Sequence, residues 1–225
     1  LIGALAIRFH CETAKKLITV RQLSDIDFFG TAGQREQIIK VFEKLGYSPA
    51  EQFNFSNYPR ALRFYAQDRP RIDIWLDSFE MCHTLRFEDR LSLSRDTMPL
   101  EDLLFTKLQI VELNRKDVID VFCLVNDHEL GKDDPEHIDI DYLANLCRDD
   151  WGLHKTITMN IQKMTSLMDM GIPDLELHDQ QRDLVKSRLG RILDRIESTP
   201  KTFRWKLRSK VGEKKRWYET PTARE

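Results

Sequence analysis

The chain has 225 residues, of which 41% are hydrophobic, and a formal net charge of −2. That length serves one large domain or two small ones, and the composition excludes wholesale disorder. The near-neutral balance also excludes a general affinity for polyanions, so nucleic-acid contact would have to come from a local patch.

Leu1 stands where a methionine would open a complete reading frame, so the start is expected upstream. The apolar run from Leu1 to Ile7 falls far short of the ~18 residues of a membrane span, and no later segment reaches it, so no membrane partner is expected. Gly3 precedes Ala4-Leu5-Ala6, residues of good helix propensity. A helix starting there would turn free N–H groups and a positive dipole end towards a phosphate.

Arg21-Gln22-Leu23-Ser24-Asp25-Ile26-Asp27-Phe28 reads as a strand with Asp25 and Asp27 on one face and Ile26 and Phe28 on the other. Two hard carboxylates on one face suit Mg²⁺ or Mn²⁺, ions held by one or two acids plus substrate phosphates. A solvated strand face is the ordinary alternative for such a short pattern. The strand should end near Gly30, and Gln34 to Leu45 carries Ile38, Ile39, Phe42 and Leu45 at helical spacing before Gly46 stops it. Phe53-Asn54-Phe55 and Leu62-Arg63-Phe64-Tyr65 are predicted as short strands. Arg71-Ile72-Asp73-Ile74-Trp75-Leu76-Asp77 repeats the alternation, and beside the first strand its Asp73 would complete a three-carboxylate cluster. Leu85 through Leu93 adds a strand or hairpin.

From Pro99 onward the pattern is helical. Leu100, Leu104, Leu108 and Val111 form a stripe that contains Lys107, either snorkelling past apolar surface or aiming its ammonium at phosphates. The next helix turns Val118, Val121, Phe122 and Val125 inward and sets Asp117 and Asp120 on its flank, where acids also favour the helix dipole. Asn126 to Pro135 reads as a polar connection, followed by helices at Tyr142–Cys147, Trp151–Met170 and Asp179–Ile196. Between Lys201 and Arg216 eight Lys and Arg face Glu213 alone, with Phe203, Trp205 and Trp217 interleaved. Such a segment is an ordinary basic terminal helix or a grip on single-stranded RNA.

Cys11, Cys82, Cys123 and Cys147 show no paired spacing, which fits reduced thiols in a cytoplasm. The doublets His10-Cys11 and Cys82-His83 are not expected to form a zinc site, because adjacent residues diverge on a strand and lie about 100° apart on a helix.

The three acids, with Gly3 at a helix start, resemble the nucleotidyltransferase superfold of polymerase-beta-like enzymes. The likeness is closest to the AbiEii-type toxin branch, whose glycine, Arg-x-x-Ser-Asp-x-Asp, lysine and Arg-x-Asp-x-x-Asp blocks are filled by Gly3-Ala4, Arg21 to Asp27, Lys107 and Arg115 to Asp120. The matching blocks span about the first half of the chain. Two departures stand out: Ala4 supplies no hydroxyl where the family has Gly-Ser or Gly-Gly, and the stretch from Gly3 to Asp25 is longer than in compact members.

The resemblance implies a metal-dependent transfer of a nucleoside monophosphate from a nucleoside triphosphate to an acceptor. Asp25, Asp27 and Asp73 would hold Mg²⁺ or Mn²⁺. Gly3, Ala4, Arg21 and Ser24 would bind the nucleotide, and Asp120 would orient Lys107 or assist deprotonation of the acceptor. It implies an α+β fold with a core at 1–98, a helical region at 99–200 and a basic segment at 201–225. An antitoxin-like protein is a further expected partner. A scaffold of the same shape that binds RNA or protein without turnover is the alternative from another class.

Overall fold

Alternation along β1 (Asp25–Gly30) turns Ile26 and Phe28 to one face of the sheet and the two acids to the other, and in the computed structural model the neighbouring strands keep that division. The structure describes residues 1–17, 23–94, 96–173 and 175–220. β1 pairs in parallel with β4 (Arg71–Leu76), β4 pairs antiparallel with β3 (Ala61–Tyr65), and β3 pairs antiparallel with the two-residue β2 (Ser48–Pro49). The order β1-β4-β3-β2 is a mixed sheet, and the chain is α+β.

Parallel neighbours need a crossover, and it begins with α3 (Arg35–Lys44). Ile38, Ile39 and Phe42 of this helix cover Leu62, Phe64, Ile72 and Ile74 on the apolar face of the sheet. Phe42 stacks on Phe64 with ring centroids 4.9 Å apart. Leu62 and Phe64 are fully buried, each contributing about 1.5–3 kcal/mol of hydrophobic stabilisation.

One expected strand is a helix. Phe53-Asn54-Phe55 lies in α4 (Glu51–Ser56), and Asn54 shows why. Its Oδ1 accepts from the Arg63 backbone N–H at 2.6 Å and its Nδ2 donates to the Arg63 carbonyl at 3.2 Å, so one side-chain amide completes the edge of β3. Buried backbone groups must be paired, and a helix turn delivers the amide where the short β2 has ended. The two flanking phenylalanines do not share a strand face: Phe55 is 86% exposed, and Phe53 lies under the Arg63 guanidinium at 4.0 Å.

The strand expected near Leu85 is β6 (Thr84–Arg86), which forms a hairpin with β5 (Ser78–Glu80), while Leu91 to Leu93 is a turn. Pro99 then flanks α5 (Leu100–Leu108), followed by α6 (Arg115–Asp127), α7 (Ile140–Asp149), α8 (Trp151–Met170) and α9 (Asp179–Ser198). Asn114 and Asp117 close a capping box on α6, and Asp139 and Asp150 cap α7 and α8. The N-terminal α1 (Gly3–His10) and the short α2 (Glu12–Lys16) join this layer, with Ile2, Ala6, Ile7 and Ala14 in one core with Leu104 of α5 and Phe122 of α6. Residues on both sides of position 98 share that core. Among the described residues no helix is long and apolar enough to cross a membrane.

The basic C-terminal segment folds as α10 (Phe203–Val211), and two of its three aromatics turn inward rather than offering faces to bases. Trp205 meets His154 edge-on at 5.2 Å, and Trp217 meets Trp151 at 6.1 Å while donating Nε1–H to Thr156 Oγ1 at 3.1 Å. Arg208 donates to the Gly212 and Lys215 carbonyls at 2.7 and 2.8 Å. Indoles carry large apolar area, so docking the segment on α8 claims them first. Phe203, with Arg204, Lys206 and Lys210, remains exposed.

Candidate active site

Parallel register sets Asp25 opposite Arg71 and Asp27 opposite Asp73. Their side chains leave the sheet on the same face and, with Gly3 and Lys107, line one open cavity of about 260 Å³. That is slightly below the ~300 Å³ lower end of small-molecule clefts, so a triphosphate would project from its mouth.

The charges in this cavity are unequally compensated. Arg63 grips Asp73 with Nε 2.7 Å from Oδ1 and Nη2 3.1 Å from Oδ2. Arg71 bridges two acids, 2.8 Å from Asp25 Oδ2 and 3.0 Å from Asp73 Oδ2. No described residue donates a comparable bond to Asp27. Burial, then the charges of Asp25 and Asp73, push the Asp27 carboxyl up to about 6, against the opposing pull of Lys107 and Arg71.

Gly3 is the reason Asp27 fits where it does. Its φ of +69° lies in the left-handed region, and a Cβ there would overlap Asp27 Oδ2 and stand 2.9 Å from its Cγ. The space expected for a phosphate beside Gly3 is therefore taken by the Asp27 carboxylate. Gly3→Ala should cost about 2 kcal/mol or more in thermal or denaturant unfolding, combining left-handed strain with displacement of Asp27. An unchanged midpoint would refute this account of the glycine.

The remaining expected residues divide. Lys107 enters the cavity with Nζ 2.9 Å from Asp120 Oδ2 and 3.6 Å from Asp117 Oδ1, so Asp120 does hold the ammonium, and Asp117 both caps α6 and faces the lysine. Ala4 is buried in the first turn of α1 and is not among the cavity's lining residues, which corrects its expected contact with nucleotide. Ser24 is exposed and approaches Asp25 Oδ1 at 3.3 Å instead of lining the cavity. Arg21 lies outside the described residues. The His10 and His83 doublets stay apart, with His10 Nε2 2.6 Å from Thr97 Oγ1 and His83 Nε2 2.8 Å from Thr156 Oγ1.

Among the described residues no set of three or more His, Cys, Asp or Glu is grouped to hold a metal ion. Arginine is the physical reason: Arg71 occupies the space between Asp25 and Asp73, and Arg63 engages both Asp73 oxygens. The donor set fits a single hard cation at Asp27 and Asp25, completed by water and substrate oxygens, because Mg²⁺ needs only one or two protein carboxylates. The burial of Asp27 and the repulsion from Asp25 and Asp73 are what such an ion would relieve.

No family model, curated protein or solved structure matches the chain.

Sequence reading did not single out Arg63 and Arg71 as site residues, although both carried a signal. Arg71 lies two residues before Asp73 and so on its face, and Arg63 interrupts the apolar run of Ala61, Leu62 and Phe64 on β3. A charged residue on the acid-bearing face of a sheet needs a counter-charge, and Asp73 supplies it for both.

Proposed function

We propose that the protein transfers a nucleoside monophosphate from a nucleoside triphosphate to an acceptor oxygen, with pyrophosphate leaving. The observation that carries this reading is Asp27, a partly buried carboxylate with no arginine bond from the described residues, beside Asp25 and Asp73 in the same cavity as the ammonium of Lys107. Asp25 and Asp27 would hold Mg²⁺ or Mn²⁺, which when bound polarises phosphoryl oxygens and lowers the pKa of the attacking hydroxyl. Lys107, fixed by Asp120, would direct positive charge at the departing phosphates, where a positioned cation is worth most because the charge develops there. Arg63 and Arg71 would hold the Asp73 carboxylate in place and the strand pair in register. The exposed Arg204, Lys206 and Lys210 offer phosphate contacts for an RNA acceptor.

Incubation of the protein with each α-labelled triphosphate, Mg²⁺ or Mn²⁺ and total RNA tests the reading. Metal-dependent label on an acceptor supports it. Lys107→Ala should lower such transfer by ~10²-fold or more. The same change takes the Lys107 ammonium from Asp120, 3% exposed, so a loss of about 2–3 kcal/mol in stability is expected and rates are compared at equal folded fraction. Unchanged transfer would reduce Lys107 to a structural lysine.

A second reading also rests on a specific observation. Two arginines already neutralise Asp25 and Asp73, as in a scaffold that binds RNA or protein without turnover. Absence of transfer and of any metal-induced rise in the unfolding midpoint, together with retained RNA binding, would favour that scaffold.

A further inference from the structure

The candidate cavity has two unlike walls. The acids, arginine and lysine form one; Trp75, Phe79, Met81 and Ile110 form the other. We propose that Trp75, supported by Phe79, is the platform on which the nucleobase of the triphosphate stacks, an inference that rests on the nucleotidyl-transfer reading above.

Trp75 follows Asp73 by two residues on β4, so both side chains leave the same face of the sheet about 7 Å apart along the strand. A ligand whose anionic group is held at the acid end therefore reaches the indole through one sugar-sized spacer. Phe79 meets Trp75 with centroids 4.9 Å apart and planes at 63°, an edge-to-face contact that steadies the indole without a parallel ring lying on it. Both aromatics are only partly buried, although the core next to them closes over Phe29 and Phe87. Partly exposed aromatic surface facing a charged wall matches a ligand that is planar and apolar at one end and anionic at the other.

The wall also predicts how selective the site is. Met81 and Ile110 offer no side-chain donor or acceptor, the Thr106 hydroxyl donates to the Leu103 carbonyl, and the side-chain oxygen of Asn114, which also lines the cavity, is engaged by the Asp117 backbone N–H in the capping box. Every base has a π-face, so stacking here rewards having a base and discriminates weakly among bases.

Equilibrium binding of inorganic tripolyphosphate and of each of the four nucleoside triphosphates, in Mg²⁺ or Mn²⁺, separates this inference from the reading beneath it. The wild-type chain should bind the triphosphates roughly 10- to 100-fold more tightly than tripolyphosphate and lose indole fluorescence on doing so. Trp75→Leu should erase that advantage and leave tripolyphosphate affinity unchanged, while Trp75→Phe restores most of it; matched unfolding midpoints exclude misfolding. Equal binding of tripolyphosphate and triphosphates by the wild type, or an undiminished advantage in Trp75→Leu, overturns the stacking role and leaves the phosphate site standing. If neither ligand binds the wild type with either metal, the nucleotidyl-transfer reading itself fails and takes the stacking role with it.

Discussion

Asp27→Asn is expected to cut metal-dependent transfer by roughly 10³-fold while making the metal-free fold more stable at pH 7.5. The sign follows from proton counting. The ordinary value of this carboxyl is 3.8 and its value in the fold is about 6. Between those values the folded chain holds more protons than the unfolded chain, so stability falls as pH rises through that window and stays lower above it. The deficit at neutral pH is on the order of 3 kcal/mol. Asparagine keeps the shape without the charge, so the variant should unfold at higher temperature than the wild type at pH 7.5, and the two midpoints should converge towards pH 4. Mg²⁺ should raise the wild-type midpoint by binding the folded state, and should leave the variant nearly unmoved. A variant less stable than the wild type at pH 7.5 would show that Asp27 is compensated after all.

The second large effect lies away from that cavity. Arg90 sits in a 3₁₀ turn at Glu88–Arg90 and reaches the first turn of α5, with Nε 2.5 Å from Asp102 Oδ2 and Nη2 on Glu101 Oε1. Its guanidinium lies 3.8 Å from the centroid of the Tyr142 ring on α7. Asp102 is fully buried and Glu101 nearly so. Arg90→Ala would leave both acids without their counter-charge, and the expected cost in urea unfolding is about 4–5 kcal/mol at pH 8. Burial already pushes Asp102 up to about 7, with Arg90 pulling the other way. Asp102 can therefore take a proton at mildly acidic pH, and the penalty of Arg90→Ala should shrink at pH 5. Arg90→Lys should fall between, because an ammonium restores the charge without the two-pronged geometry. A penalty that does not change between pH 5 and pH 8 would mean that lost packing against Tyr142, rather than the stranded charge, dominates.

These effects were unequally visible in the amino-acid order. The β1 and β4 alternations announced which residues share a face, and the helical stripe of α5 announced that Lys107 sits among apolar residues, because strand and helix periods are local properties. The Asn54 segment shows the limit of that approach. Two phenylalanines around a polar residue fit a strand, yet the unpaired edge of β3 is satisfied better by an asparagine carried on a helix. Trp205 and Trp217 show it again: their spacing among basic residues left their faces open to either use, and only the proximity of His154, Trp151 and Thr156 assigned them to the interior.

By itself the sequence determined the two-faced strands, the helical second half and the apolar stripe that contains Lys107, all of which follow from side-chain period and composition. Tertiary structure alone decided that β1 and β4 are parallel neighbours, that Asp27 faces Asp73 across them, and that Gly3 yields its side-chain space to Asp27. It also decided which acids are neutralised. Among the described residues Arg63 and Arg71 bond Asp73 and Asp25 but not Asp27, a distribution fixed by strand register and burial between segments distant in the chain. Electrostatic compensation depends on which charges meet in low dielectric, and no local pattern specifies that meeting.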